Sequence, residues 1–256
     1  MLEGMGSIRR DFLVGDLQQA MREGGIDGVV TVQARQSVVE TEWLLDLVSC
    51  HDFMRGVVGW VPLADPAVAS HLERYAAHAK LKAVRHVLHD EPDDLYILRN
   101  DFNRGIARLK EIGLRYDILI FERHLPQTIE FLDRHPNQVF IVDHIAKPKI
   151  KDHLLSPWCE RMRDLARREN VYCKLSGMVT EADWNGWAER DLQPFIDVVL
   201  ECFGPKRLMF GSDWPVALVA CPYKKWIEVV ERATKSLSGS ERDRIFGGTA
   251  KEAYRL

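Results

Sequence analysis

Short apolar runs alternate with longer amphipathic stretches along almost the whole chain. The apolar runs are rich in β-branched residues, which is typical of strands buried on both faces. They lie at 27–32, 56–61, 81–87, 115–120, 139–143, 171–175 and 207–211. The stretches between them repeat apolar residues at helical spacing, at 16–23, 39–50, 68–79, 98–112, 128–135, 157–169, 192–203, 224–237 and 240–254. Strands that alternate with helices predict a parallel sheet.

The length of the chain favours a barrel over other parallel sheets. A chain of 256 residues is close to the usual size of a (β/α)₈ barrel and buries a large core without disulfides or metal ions. A dinucleotide-binding doubly wound sheet is less well supported, because no GxGxxG motif follows the first apolar run. We therefore predict a single α/β domain over residues 1–256, a TIM-like (β/α)₈ barrel.

The predicted strands number seven rather than eight. The first helical pattern, 16–23, has no apolar run before it, and the preceding segment SIRRDF at 7–12 is typical of a loop. Three explanations are open: the barrel lacks its first strand, the true number of strands is seven, or one strand gives no clear signal in the sequence. The first alternative predicts an open barrel with exposed strand edges.

Composition and charge exclude several classes of function. The formal net charge of −3 gives no reason to expect a nucleic acid or an acidic membrane as partner. No run of roughly 18 apolar residues is present, and the N-terminus lacks the apolar segment of a secretory signal. The five cysteines are odd in number and form no CxxC pair, which indicates reduced thiols in a cytoplasmic protein rather than a thiolate zinc site.

Polar side chains lie where nearly every predicted strand ends, and in barrels these ends build the active site. The candidates are Gln33, Arg85, His86, Arg123, His124, Asp143, His144, Lys147, Lys174, Ser176, Ser212 and Asp213. Several have a structural alternative: His144 as a hydrogen-bonded framework residue, Asp213 as a turn cap and Gln33 as a partner of backbone groups. Lys174 is harder to explain in this way, because a buried lysine needs a partner or a shifted pKa.

Four segments resemble the amidohydrolase superfamily and, more narrowly, its lactonase branch. They are GSDWP at 211–215, DHIAKP at 143–148, CKLSGM at 173–178 and VRHVLHDEPDD at 84–94. The branch includes L-fucono- and L-rhamnono-lactone hydrolases, 2-pyrone-4,6-dicarboxylate lactonases and sulfomuconolactone hydrolases. The resemblance extends from about residue 8 to the C-terminus, and it implies a distorted (β/α)₈ barrel that hydrolyses a cyclic ester.

The resemblance also implies roles for residues at the strand ends. Asp213 would be the general base and later the proton donor, and His144 would lie beside the bound carbonyl or a metal. Arg85 and His86 would face the carboxylate or hydroxyls of the substrate. The cluster of polar strand ends leads to the further hypothesis that His144, Arg85 and Lys174 stabilise the negative charge that develops on the carbonyl oxygen during lactone opening. Strand position, more than any motif, makes Gln33, Arg123 and His124 further candidates for substrate binding, and Trp214 is another.

The chain departs from the family at its first strand. Family members begin with a strand that ends in a His-x-His motif, whereas the first histidine here is His51, in a helical pattern. A segment is therefore expected to be missing at the front, with a misassigned start codon as the leading explanation and a degenerate paralogue as the second. Catalytic zinc usually has three protein ligands. We therefore expect no certain cofactor, and zinc only in a chain with the first strand restored.

The sequence predicts a cytoplasmic hydrolase that opens a small lactone, with the lactone of a sugar acid favoured. Two alternatives remain open. Related amidohydrolase chemistry would decarboxylate or hydrate a small carboxylic acid, and a truncated, non-catalytic paralogue would only bind a ligand or partner. The expected partner is a small molecule, not nucleic acid or a membrane, and the sequence indicates no oligomeric state.

Overall fold

The computed structural model describes residues 4–256, which form one curled parallel sheet surrounded by helices. The strands pair in chain order from β1 to β7, and every neighbouring pair is parallel. They are Val29–Val32 (β1), Met54–Gly59 (β2), Leu81–Val87 (β3), Arg115–Leu119 (β4), Phe140–Val142 (β5), Val171–Leu175 (β6) and Leu208–Phe210 (β7).

All seven predicted strands and the TIM-like barrel class are confirmed. β5 and β7 are shorter than predicted, at three residues each. β5 stops because a tight turn begins at Asp143, and β7 starts late because the preceding helix continues to Arg207. Within residues 4–256, β1 and β7 each pair with one neighbour only, so the barrel formed by these residues is open between them.

The predicted helices are confirmed with shifted ends. They are Val14–Gly24 (α1), Val38–Ser49 (α2), Val68–Ala76 (α3), Asn100–Glu111 (α4), Leu125–Arg134 (α5), Trp158–Leu165 (α6), Met178–Glu181 (α7), Glu189–Arg207 (α8), Tyr223–Ala233 (α9), Gly239–Asp243 (α10) and Thr249–Tyr254 (α11). The short α7 was not predicted. A π-helical turn at Arg244–Gly248 joins α10 to α11, so the predicted helix 240–254 is one interrupted segment.

The sheet separates a large outer core from a small inner one. Adjacent strand residues alternate between the two: Val57 belongs to the outer core and Val58 to the inner, and Phe140 is outer where Ile141 is inner. This period of two is what a strand buried on both faces requires. The inner core also contains Tyr254 of α11, so the last helix closes one end of the barrel.

None of the helices within residues 4–256 combines the length and the apolar character needed to span a membrane.

Candidate active site

A left-handed turn follows β5 and carries the first candidate side chain. His144, Ile145, Ala146 and Lys147 all have φ between 48° and 60°, a region that costs a residue other than glycine about 1–2 kcal/mol. The Lys147 amide donates to the His144 carbonyl at 2.8 Å, and Trp158 Nε1 donates to the Ile145 carbonyl at 2.8 Å. Such strain clusters at functional sites, and here it turns the His144 side chain toward the end of β7.

The end of β6 supports His144 from behind. Ser176 Oγ lies 2.8 Å from His144 Nδ1. Gly177 has a φ of +64°, and a Cβ atom at this position would lie 2.6 Å from His144 Cγ. The imidazole of His144 packs directly against the backbone at Gly177, so this position has no room for a side chain. The preceding residue, Ser176, supplies the hydroxyl that contacts the ring.

Asp213 faces His144 from the end of β7. Asp213 Oδ1 and His144 Nε2 are 3.6 Å apart, and each side chain is 13% exposed. Asp213 also has a left-handed backbone, with a φ of 53°. The separation is longer than a hydrogen bond, which leaves both atoms able to contact a water molecule or a substrate atom. We call these two residues the His144–Asp213 pair.

Burial sets the protonation states of the pair. It raises the pKa of Asp213 to about 7, although the positive charges of Lys147 and Arg85 oppose this effect. Burial also lowers the pKa of His144 to about 3, against the negative charge of Asp143. The imidazole is therefore uncharged at neutral pH, and the carboxyl group is close to half-ionised. A general base works best when its pKa lies near the working pH.

Arg85 reaches this region from β3 and is held by two partners. Its Nη1 donates to Asp143 Oδ2 at 2.8 Å, and its Nη2 donates to the carbonyl of Gln33. Gln33 is fully buried, and its Nε2 donates back to the Arg85 carbonyl at 3.2 Å. Gln33 therefore supports Arg85, and Arg85 acts on the pair through its charge.

The Lys174 ammonium is enclosed by two carboxylates. Its Nζ lies 2.6 Å from Asp117 Oδ2 and 2.6 Å from Asp143 Oδ1. Burial opposes the charge on the ammonium, but the two carboxylates outweigh burial and raise the pKa of Lys174. Burial likewise opposes the charge of Asp143, and the cations Lys174 and Arg85 outweigh it and lower the pKa of that carboxyl. Lys174 is therefore charged and fully engaged.

The structure does not bring His86 to the pair. Successive side chains of a strand point to opposite faces, and His86 lies on the face of β3 away from Arg85. Its Nε2 lies 2.7 Å from Glu91 Oε1, and its ring stacks on Tyr96 with centroids 5.0 Å apart. Burial lowers the pKa of His86 despite the neighbouring Glu91. These contacts, together with an edge-on contact to Phe102 of α4, are those of a framework residue.

The side chains of Arg123 and His124 are held by the carboxylate of Asp94. Both contact Asp94, with Arg123 Nε at 3.2 Å and His124 Nε2 at 2.8 Å from Oδ1. The Phe121 amide donates to His124 Nδ1 at 3.2 Å, so the imidazole hydrogen is on Nε2 and is donated to Asp94. The two residues fix the loop after β3 against the end of β4.

Trp214 lies beside the pair in sequence and contacts the N-terminal segment. Its ring meets Phe12 edge-on with centroids 5.3 Å apart, and the Arg10 guanidinium lies 3.9 Å from the centroid of the Phe12 ring. This contact fixes the segment before α1 against the residues that follow β7. Trp214 directly follows Asp213 in the chain, and its role in substrate binding stays a prediction.

Two side chains near the pair were missed by sequence reasoning. Glu181 of α7 forms an ion pair with Lys147 in which both side chains are mostly buried. Nothing in the sequence marks this glutamate, because its partner lies in a turn more than thirty residues earlier. His89 packs on Phe121 with centroids 4.8 Å apart, and burial lowers the pKa of His89 to about 4. Its position just past the end of β3 could have identified it.

The residues present do not fit a catalytic zinc ion. Within residues 4–256, no three His, Cys, Asp or Glu side chains are grouped so that they could hold a metal. His144 and Asp213 together supply two donors, whereas catalytic zinc takes three from the protein. The site described by residues 4–256 is therefore one protein donor short of a catalytic zinc site.

The chain is similar to known lactonases over nearly its full length. An L-fucono-1,5-lactonase from Burkholderia multivorans is 39% identical over 264 residues, which cover 99% of this chain and 89% of that protein. A second L-fucono-1,5-lactonase, from Burkholderia ambifaria, is 34% identical over 256 residues, which cover 98% of this chain and 88% of that protein.

Solved structures share the fold. The crystal structure of an amidohydrolase from Burkholderia multivorans with bound zinc has a TM-score of 0.96 at 40% identity, and the match covers 100% of this chain and 92% of that one. A putative 2-pyrone-4,6-dicarboxylic acid hydrolase from Pseudomonas putida has a TM-score of 0.77 at 22% identity, covering 96% and 89%. Residues 3–256 match the amidohydrolase family itself. The chain therefore belongs to the amidohydrolase family.

Proposed function

We propose that the protein hydrolyses the lactone of a sugar acid, with L-fucono-1,5-lactone as the first candidate substrate. Two relatives above 30% identity carry the name L-fucono-1,5-lactonase and match nearly the whole chain. The observation that carries the proposal is the His144–Asp213 pair. A mostly buried carboxyl group with a raised pKa lies 3.6 Å from a mostly buried imidazole, an arrangement suited to activating water.

The proposed reaction uses Asp213 first as base and then as acid. The ionised carboxylate removes a proton from a water molecule, and the oxygen of that water attacks the ring carbonyl carbon. A tetrahedral oxyanion forms and collapses, the bond between the carbonyl carbon and the ring oxygen breaks, and Asp213 returns the proton to the departing alkoxide. The product is the open hydroxy acid, which ionises and releases one proton at neutral pH.

His144 is the proposed donor to the oxyanion. Its imidazole is uncharged at neutral pH because burial holds the pKa of His144 at about 3. If Ser176 Oγ donates to Nδ1 across their 2.8 Å contact, the ring hydrogen sits on Nε2 and points into the site. A preplaced donor of this kind is worth on the order of 3 kcal/mol in the transition state. The charges of Arg85 and Lys147 reinforce it at longer range.

The assay that tests the proposal is proton release from a lactone panel at pH 7. The panel contains L-fucono-1,5-lactone, L-rhamnono-γ-lactone and 2-pyrone-4,6-dicarboxylate, each with EDTA and with added Zn²⁺, and an enzyme-free blank corrects for spontaneous opening. We expect one proton per lactone for a sugar lactone, in EDTA as well. A folded protein that opens no lactone above the blank would refute the proposal, and carbon dioxide release would support a decarboxylase instead.

The pH profile should follow the ionisation of Asp213. Only the carboxylate form acts as a base, and burial raises the pKa of Asp213 to about 7. We therefore expect kcat/KM to rise with pH through about 7 and then level off. His144 adds no second rise there, because its pKa of about 3 keeps it uncharged on both sides. A profile that is flat between pH 5.5 and 8 would contradict the assignment.

Lys147 and Glu181 should shift this profile in opposite directions. The positive charge of Lys147 lowers the pKa of Asp213, and the negative charge of Glu181 raises it. Lys147→Met is therefore expected to move the rise in kcat/KM to higher pH, and Glu181→Gln to lower pH. Both substitutions break the same ion pair, so each serves as the structural control for the other. Shifts in the same direction would mean that the pair only shapes the turn.

A further inference from the structure

A chain of buried polar contacts crosses the barrel interior from the last helix to the left-handed turn. The Tyr254 hydroxyl of α11 donates to Asp117 Oδ2 at 2.7 Å. Lys174 Nζ lies 2.6 Å from that same oxygen and 2.6 Å from Asp143 Oδ1, and Arg85 Nη1 lies 2.8 Å from Asp143 Oδ2. We call these five residues the interior network. We propose that Lys174 and Tyr254 are positioning residues, which act through Asp143 on the orientation of His144.

Lys174 is poorly placed to touch a substrate. The residue is 9% exposed, and its ammonium lies between the carboxylates of Asp117 and Asp143. The two carboxylates and the two cations, Lys174 and Arg85, balance in charge. Removing one member would leave a buried charge without a partner, which is costly. The proposed role therefore differs from the sequence-based expectation that Lys174 stabilises the negative charge on the carbonyl oxygen.

Asp143 connects the network to the catalytic pair. It immediately precedes His144, and both of its carboxylate oxygens are engaged, Oδ1 beside Lys174 and Oδ2 by Arg85. The backbone becomes left-handed at the next residue, a conformation that must be held by its surroundings. Fixing the Asp143 side chain fixes where the turn starts, and hence the direction in which the His144 imidazole leaves the backbone.

Tyr254 extends this control to the end of the chain. Its ring is buried in the inner core with Val58, Ala83 and Ile141, and its hydroxyl shares the Asp117 oxygen with Lys174. The hydroxyl therefore limits the positions that Lys174 can take between its two carboxylates. α11 contributes to the site without approaching the mouth of the barrel.

The test is Tyr254→Phe with Tyr172→Phe as its matched control. Each substitution removes one hydroxyl and one hydrogen bond of α11: Tyr254 bonds Asp117, and Tyr172 bonds Glu252 of that helix at 3.2 Å. Misplaced catalytic groups cost up to about 100-fold in rate. We expect Tyr254→Phe to lower kcat by about 10-fold with little change in KM, and Tyr172→Phe to leave both unchanged. Circular dichroism at the assay temperature confirms that each variant is folded.

The proposal rests on the proposed lactonase function only for the kinetic readout, so a second readout is independent of activity. The ¹⁵N resonances of the His144 ring report its tautomer and hydrogen bonding, and they are assigned by their loss in His144→Gln. We expect them to shift or broaden in Tyr254→Phe and to stay in place in Tyr172→Phe. If the wild-type protein opens no lactone, the lactonase proposal fails, and these resonances alone decide the positioning role.

Two results would overturn the proposal: kcat values that agree between the two variants, or His144 resonances that do not move in Tyr254→Phe. If Tyr254→Phe does not fold, Asp117→Asn combined with Lys174→Gln replaces it. That double variant removes one charge of each sign and keeps hydrogen-bonding side chains in place. The same loss of kcat and the same movement of the His144 resonances are then expected, and their absence counts against the proposal.

Discussion

Asp213→Asn should lower kcat/KM for lactone hydrolysis by about 10²–10⁴-fold, the usual contribution of a general base. Asparagine keeps the size and polarity of the side chain but accepts no proton from water and returns none to the alkoxide. The loss should appear mainly in kcat, because the substitution removes chemistry and little binding surface. Initial rates of proton release on the best lactone of the panel measure it.

Stability measurements separate this loss from unfolding. Asp213 binds its proton more tightly in the folded protein, because burial raises its pKa to about 7 from the ordinary value of 3.8. The folded state therefore loses stability as the pH rises between these two values. Asparagine removes that loss, so the variant should melt at a higher temperature than the wild type at pH 8. Asp27→Asn, at an exposed carboxyl group before β1, should change neither activity nor melting. Substantial activity in Asp213→Asn would exclude it as the base.

Gly177→Ala should abolish most of the activity, by about 100-fold or more. The added Cβ atom would lie 2.6 Å from His144 Cγ, so the imidazole must move away from its position beside Ser176 and Asp213. A displacement of about 1 Å is enough for a loss of this size. Kinetic constants measure the loss, and the His144 ring resonances show whether the imidazole has moved.

Gly25→Ala is the matched control for the backbone. Gly25 has a φ of +66° against +64° at Gly177, and no atom would lie within 4 Å of its added Cβ. Both variants carry the same left-handed strain, about 1–2 kcal/mol, and both should melt at a slightly lower temperature. Only Gly177→Ala should lose activity. Equal activity losses in the two variants would trace the effect to stability and not to His144.

The strands and the proximity of the two residues of the His144–Asp213 pair could be predicted from the sequence. Each strand is a short apolar run because it is buried on both faces, and the outer and inner cores confirm this reason. His144 and Asp213 lie within three residues of the ends of β5 and β7, so parallel pairing alone brings them to one end of the sheet. Their 3.6 Å separation was not predictable, because it depends on left-handed backbones at both residues.

The sequence did not indicate the partners of several candidate side chains, and these partners determine where the side chains lie. Arg85 and His86 are adjacent on β3, and the alternation of a strand allows only one of them to face the interior. Choosing between them needed the identity of the partners, Asp143 and Glu91. Arg123 and His124 follow β4 after a gap, since the strand ends at Leu119, and their direction is set by a carboxylate on another loop. The apolar run around Lys174 predicted that the ammonium has a buried partner, but it did not indicate that the partners are Asp117 and Asp143.

Because of the left-handed turn after β5, the geometry of the site depends on parts of the protein that do not contact the substrate. Four consecutive residues hold a conformation that each would leave if released, so the energy that keeps them there comes from Trp158, from the interior network and from the packing of the whole sheet. Substitutions at those distant positions lower the same folding free energy that holds His144 in position. We therefore expect fewer substitutions to preserve the activity of this protein than to preserve its fold.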